Sequence, residues 1–252
     1  MKFGEKTTLT ITGVDRKGRG RGTVNGREAL VSFAVPGEEV EATLVKRRQG
    51  KLRLELDRVL KPSPKRIEPR CRYAGKCGGC AWQQFDYGYQ LELKRGLVND
   101  ALEAAGLGRR IESVVPAAST FYYRNRMDYC VGPKGELGLK EPGRWNAYLD
   151  LEECHLLSQE SVEVMRRFRE YMRRHQLEPW NVYSHTGYAR YLVIREGKNT
   201  GKRMVTVVTS DGPLPAPEEL VASLGTLATT VYHGVNPTIT DLSTAARLTL
   251  LA

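Results

Sequence analysis

No stretch of the 252-residue chain comes near the roughly 18 consecutive apolar residues that a membrane helix requires. The opening Met1-Lys2-Phe3-Gly4-Glu5 runs into alternating sequence, not into the apolar segment of a secretion signal. The expectation is a cytoplasmic protein with no membrane partner. Cysteine is scarce and odd in number, five in all, which argues against a disulfide framework and for thiols that are ligands or buried. No cysteine follows Cys154, and no strand followed by a clustered glycine loop of the donor-binding kind occurs after it.

What is present is regional charge. Residues 1–70 hold 17 Lys/Arg against 9 Asp/Glu, so +8 of the net +10 lies there, while residues 71–252 carry only +2. A small basic domain attracts a polyanion, and counterion release makes nucleic acid the first candidate. A solvated charged face is the plainer alternative.

Three runs alternate as half-buried strands do, Thr8-Leu9-Thr10-Ile11-Thr12, Val40-Glu41-Ala42-Thr43-Leu44 and Leu52-Arg53-Leu54-Glu55-Leu56. Turns at Gly18 to Gly22, Asn25-Gly26, Pro36-Gly37 and Gln49-Gly50 separate them, the spacing of a small antiparallel barrel of five strands. Arg16, Lys17, Arg19 and Arg21 sit on a glycine-rich loop whose backbone can approach phosphates, and Lys46, Arg47 and Arg48 form a second cluster at a hairpin tip. With the Ala34-Val35-Pro36-Gly37-Glu38 turn, this segment resembles a TRAM domain, an RNA-binding barrel related in shape to the OB fold. Pro62, Pro64 and Pro69 then mark a linker.

Cys71, Cys77 and Cys80 lie within ten residues, with Gly78-Gly79 allowing a tight fold, and Cys154 is the candidate fourth ligand. Four thiolates suit tetrahedral zinc or an iron–sulfur cluster, and the spacing alone does not separate them. Cys130, in a strand-like run, reads as a small buried hydrophobe. The run from Cys71 to Gln83, followed by Tyr89-Gln90 and Lys94, is similar to the cluster signature of the RumA-type RNA (uracil-5-)-methyltransferases. That resemblance implies a [4Fe–4S] cluster on Cys71, Cys77, Cys80 and Cys154. It also implies an RNA substrate, ribosomal more than transfer RNA, and contacts to RNA from Arg124, Arg126 and Arg190.

The organisation expected is a TRAM barrel over 1–60, a linker and cysteine segment over 61–84, and an α+β central domain over 85–252. In that domain a helix is expected over Tyr89 to Ala105, a second capped by Ser158 with Val162, Met165, Phe168 and Met172 inward, and a hairpin of Tyr191–Arg195 with Met204–Thr209. The end, Leu248-Thr249-Leu250-Leu251-Ala252, reads as an amphipathic helix.

In the resembled family a cysteine thiolate adds to uracil C6, C5 takes the methyl of S-adenosylmethionine, and a base removes the C5 proton. Neither Cys130 nor Cys154 matches the nucleophile position, so no catalytic residue is assigned. A class I methyltransferase domain is expected to be missing, with the chain alone inactive and S-adenosylmethionine bound only by a longer protein. A monomer is expected. The rival reading is a stand-alone RNA-binding module with a structural zinc or iron–sulfur site. A radical methylthiotransferase is disfavoured, because its TRAM domain lies at the other end and its cysteines are spaced Cys-x3-Cys-x2-Cys.

Overall fold

A computed structural model describes all residues, 1–252, as two compact units. The first comprises Met1–Lys76 and Cys80–Ala117, the second Cys77–Gly79 and Ala118–Ala252.

In the first unit, β1 (Lys6–Thr10), β2 (Gly13–Val14), β3 (Gly20–Val24), β4 (Arg27–Val31), β5 (Glu39–Arg48) and β6 (Lys51–Lys61) form a sheet of order β1-β5-β6-β4-β3-β2. The sheet curls until Thr12 N–H donates to the Arg21 carbonyl at 2.8 Å, and Gly22 lies so close to the Thr10 carbonyl that a Cβ there would sit 2.4 Å from its oxygen. Only glycine fits that crossing. Alternation along β5 and β6 puts Val40, Ala42, Leu44, Leu52 and Leu54 inside with Leu9, Ile11, Val24, Ala29 and Val31. Truncating one such leucine to alanine costs roughly 2–5 kcal/mol.

The sheet departs from the antiparallel, five-stranded expectation. It has six strands and is mixed, because β4 runs parallel to β6 through the register Ala29↔Leu52 to Val31↔Leu54. A hairpin-by-hairpin reading of turns cannot reveal that pairing, since the long β5 intervenes. The linker after β6 is fixed. Arg66 forks onto the fully buried Glu38 carboxylate and donates to the Phe33 carbonyl at 3.0 Å, while Glu38 also accepts from Val35 N–H at 2.8 Å.

Helix α1 (Tyr87–Ala104) starts at Asp86, whose side chain accepts from Tyr89 N–H at 3.0 Å. Its Tyr89, Leu93 and Leu97 pack with Phe85 and Trp82 on Val14 and Val35 of the barrel. The helix expected in the central domain is thus grouped with the barrel. The following segment is laced back along it, Asn99 and Ile111 exchanging two hydrogen bonds of 2.8 and 3.1 Å.

The second unit is a seven-stranded mixed sheet of order β13-β12-β11-β10-β7-β8-β9. Its strands are β7 (Arg126–Val131), β8 (Leu137–Lys140), β9 (Tyr148–Asp150), β10 (Ala189–Gly197), β11 (Lys202–Thr209), β12 (Thr230–Val235) and β13 (Arg247–Leu250). The expected hairpin is present as β10–β11, in register from Gly197↔Lys202 to Ile194↔Val205. Helix α2 (Gln159–Arg174) begins at Ser158 and buries Val164, Met165, Phe168, Tyr171 and Met172, with Val164 taking the place expected of Val162. Helix α3 (Pro217–Leu224) bridges the parallel pair β11 and β12.

The chain end is a strand, not the expected helix. Arg247 to Leu250 pair antiparallel with Val235 to Tyr232, and that ladder satisfies backbone groups that a helix of this length could not. No helix is long and apolar enough to cross a membrane.

Candidate RNA interface and cysteine segment

The basic loop between β2 and β3 is built around Asp15. Its carboxylate accepts the N–H groups of Lys17 and Arg19, both at 2.9 Å, and the Arg19 guanidinium as a fork. Burial alone would raise the Asp15 carboxyl, but the Arg19 bonds and charge with the Lys17 N–H hold it below its ordinary value. Trp82 closes the loop from outside, donating its indole N–H to the Gly18 carbonyl at 2.7 Å and stacking on Phe85 with centroids 5.4 Å apart. The loop is preorganised, and Arg16, Lys17 and Arg21 are left exposed on it.

Arg19 is mostly consumed by Asp15, its side chain only 19% exposed. Lys46, Arg47 and Arg48 are exposed at the β5 end as expected, although Arg47 lies over the Phe3 ring at 5.2 Å and donates to the Met1 carbonyl. Arg53 is a further cation on this part of the barrel. It is half-buried on β6, in register with Lys46 of β5, and burial lowers its guanidinium, as do the charges of Arg19 and Arg48. The signal was there: Arg53 lies between Leu52 and Leu54 and must point outward where they point inward.

The four candidate ligand cysteines divide evenly, Cys71 and Cys80 in the first unit, Cys77 and Cys154 in the second. Within neither unit do three or more Cys, His, Asp or Glu side chains assemble as a metal-holding group. Each unit makes local contacts to its cysteines. Gln83 bridges its pair, accepting from Cys71 N–H at 3.2 Å and donating to Cys80 Sγ at 3.3 Å. Cys77 Sγ accepts from Gly79 N–H at 3.4 Å. Gly78 N–H donates to the Lys140 carbonyl at 3.0 Å, so close that a Cβ at Gly78 would be 2.6 Å from that oxygen. Both Cys77 and Cys154 are buried, near the buried Tyr129.

Cys130 stands apart. It is buried among Tyr191, Val193 and Val208, its thiol donates to the Gly138 carbonyl at 3.2 Å, and burial pushes it up to about 12. It is a protonated core residue.

The three arginines of the second unit differ from one another. Arg124 is exposed, with one guanidinium N–H on Met127 Sδ at 3.1 Å. Arg126 forks onto Asp128 with two bonds of 2.7 Å, which raises its guanidinium. Arg190 cannot meet RNA: it is 1% exposed, lies over the Trp180 ring at 3.9 Å, and donates to the carbonyls of Asn236 (2.7 Å), Thr238 (2.6 Å) and Thr240. Its role is to pin the loop that follows β12.

No protein-family model matches the chain. Relatives do. A 23S rRNA (uracil(747)-C(5))-methyltransferase of Pyrococcus furiosus is 35% identical over 218 residues, 86% of this chain and 49% of its own. A tRNA (uracil(54)-C(5))-methyltransferase of the same organism is 37% identical over 215 residues, 85% of this chain and 49% of its own. The crystal structure of the Pyrococcus abyssi tRNA (uracil-54, C5)-methyltransferase in complex with S-adenosyl-L-homocysteine superposes on 95% of this chain with a TM-score of 0.75 and 30% identity. Over most of its length the chain is similar to RNA uracil-C5 methyltransferases.

It spans about half the length of these methyltransferases, 49% of the two from P. furiosus and 55% of the solved structure. The expectations of a missing methyltransferase domain and an inactive chain are withdrawn. Nearly the whole chain aligns with an enzyme whose structure holds S-adenosyl-L-homocysteine, and a partial match to a longer methyltransferase is no inventory of what the protein lacks. The leaning toward ribosomal RNA also has no support over transfer RNA, since relatives named for each are about equally similar.

Proposed function

We propose that the protein methylates carbon 5 of a uracil in RNA with S-adenosylmethionine as donor, and that the first unit described above grips the RNA backbone. One observation carries the reading: similarity to RNA uracil-C5 methyltransferases runs through 85–86% of the chain in sequence and 95% in structure, so it includes the barrel, the cysteine segment and the second sheet together. Transfer RNA is the first substrate to test, because the structural neighbour is named for it. The exposed Arg16, Lys17, Arg21, Lys46, Arg47 and Arg48, with Arg53, supply phosphate contacts; Arg124 is a further candidate.

Cys71, Cys77, Cys80 and Cys154 would hold a [4Fe–4S] cluster. Support comes from the donor set, four soft thiols of which Cys77 and Cys80 accept N–H donors. Bound there, the cluster would supply iron–thiolate bonds to those four residues, and no step of methyl transfer is assigned to it.

Purified protein incubated with tritiated S-adenosylmethionine and unmodified tRNA or 23S rRNA should yield 5-methyluridine on nuclease digestion. No 5-methyluridine from either RNA would overturn the reading. Anaerobically purified protein should be brown, with iron and acid-labile sulfide in equal amounts, unchanged in a Cys130→Ala variant. Stoichiometric zinc in colourless protein would overturn the cluster.

A further inference from the structure

The second unit displays two large aromatic rings that its core does not use. Trp145 is 58% exposed and Tyr183 is 60% exposed, yet their ring centroids are 5.4 Å apart with planes inclined at 56°. They come from separate loops, 141–147 and 181–186, that close independently. In the first, Glu141 N–H donates to the Ala147 carbonyl at 3.0 Å. In the second, Asn181 N–H donates to the Thr186 carbonyl at 2.8 Å, His185 N–H to the Asn181 carbonyl at 2.9 Å, and the Asn181 side chain accepts from Tyr183 N–H at 2.9 Å.

The loops are then joined through the rings, the Asn146 amide donating to the Tyr183 hydroxyl. Two exposed aromatics in contact, one of them tied by a polar group, bury little and gain little stability. They offer instead a ready-ordered π surface with one polar end tied down.

We propose that Trp145 and Tyr183 are a stacking platform for one unpaired base of the RNA substrate, an inference that rests on the RNA reading above. A base has a π face whatever its sequence, and stacking on an aromatic ring recognises bases that are not in a duplex. Phosphate contacts alone grip a duplex and a single strand with no such distinction. The platform therefore gives this protein a preference for loops and single strands that its basic barrel does not supply. The tilt of the two rings leaves each with an outer face, and the Asn146 bond to the tyrosine lowers the ordering cost of the binding step.

The test uses the full chain, loaded as purified, with three probes: a single-stranded oligouridylate, the same oligonucleotide with one internal abasic site, and a duplex of equal charge. Trp145→Ala should weaken oligouridylate binding roughly 5- to 100-fold. It should leave duplex binding and the slope of log affinity against log salt unchanged. Trp145→Phe should recover most of the loss, and Tyr183→Phe, which loses only the tie to Asn146, should lose less than Trp145→Ala. Binding should quench the fluorescence that Trp145→Phe removes.

Equal affinity of wild type and Trp145→Ala for oligouridylate, while both still bind it, would overturn the platform and leave the RNA reading standing. Failure of wild type to bind any of the three probes would overturn both. A loss shared equally by single strand and duplex would assign Trp145 to folding and overturn the platform too.

Discussion

At Arg190 the reading of arginines as RNA contacts fails, and the reason is local. Its neighbours Ala189 and Tyr191 are buried too, in a strand covered on both faces, so alternation gives no warning that the guanidinium is inside. Replacing Arg190 with methionine removes the donors to three carbonyls and should cost about 3–5 kcal/mol in denaturant unfolding followed by Trp180 fluorescence. RNA affinity extrapolated to the folded fraction should not change.

Glu196 is a second buried charge that the sequence did not single out. Burial alone would raise its carboxyl, but the Lys198 ammonium with the Ser158 and Ser161 hydroxyls holds it down at about 2. Its folded value is depressed, so it stabilises above the unfolded carboxylate range, near 4.5, and that contribution disappears as pH falls through about 2. Wild type should lose stability between about pH 5 and pH 2 more steeply than Glu196→Gln, measured by denaturant midpoints across that range.

Among the elements, the strands of the barrel were legible where side chains alternate, as along Val40-Glu41-Ala42-Thr43-Leu44, α1 where apolar residues recur at helical spacing, and α2 where the Ser158 cap precedes such spacing. The last strand was not. Leu248, Leu250 and Leu251 fit either period, and only pairing with Thr230–Val235, far enough away in sequence to be invisible, decides.

The basic loop yields a prediction at this scale. Asp15→Asn keeps an oxygen for the N–H groups of Lys17 and Arg19, so the loop and the Gly18–Trp82 bond should persist, but it releases the Arg19 fork. RNA binding should tighten, and its salt dependence should steepen by about 0.7 to 0.9 in slope, one more phosphate neutralised. An unchanged slope would mean that Arg19 lies off the RNA path.

Across the whole molecule, charge segregation was the most legible property and pairing direction the least. The +8 of residues 1–70 falls on one unit, while two parallel strand pairs, β4 with β6 and β11 with β12, leave no mark in composition or spacing. The division of the four cysteines between two units is equally silent in sequence, because Cys77 and Cys80 are near neighbours in the chain yet are grouped apart.

The parallel pairing of β4 with β6 also sets a timetable for synthesis. A chain leaving the ribosome from its N-terminus can close the β3–β4 ribbon as soon as Val31 is out, because the two strands are joined by Asn25-Gly26 alone. It cannot give β4 its second neighbour until Leu54 emerges, and β1 waits for β5 in the same way. At the usual 5–20 residues per second, the open edge of Ala29–Val31 stays unpaired for on the order of seconds. Arg27 and Glu28, which lead into those three apolar residues, put charge at the start of that edge, of the kind that discourages a second nascent chain from pairing with it first.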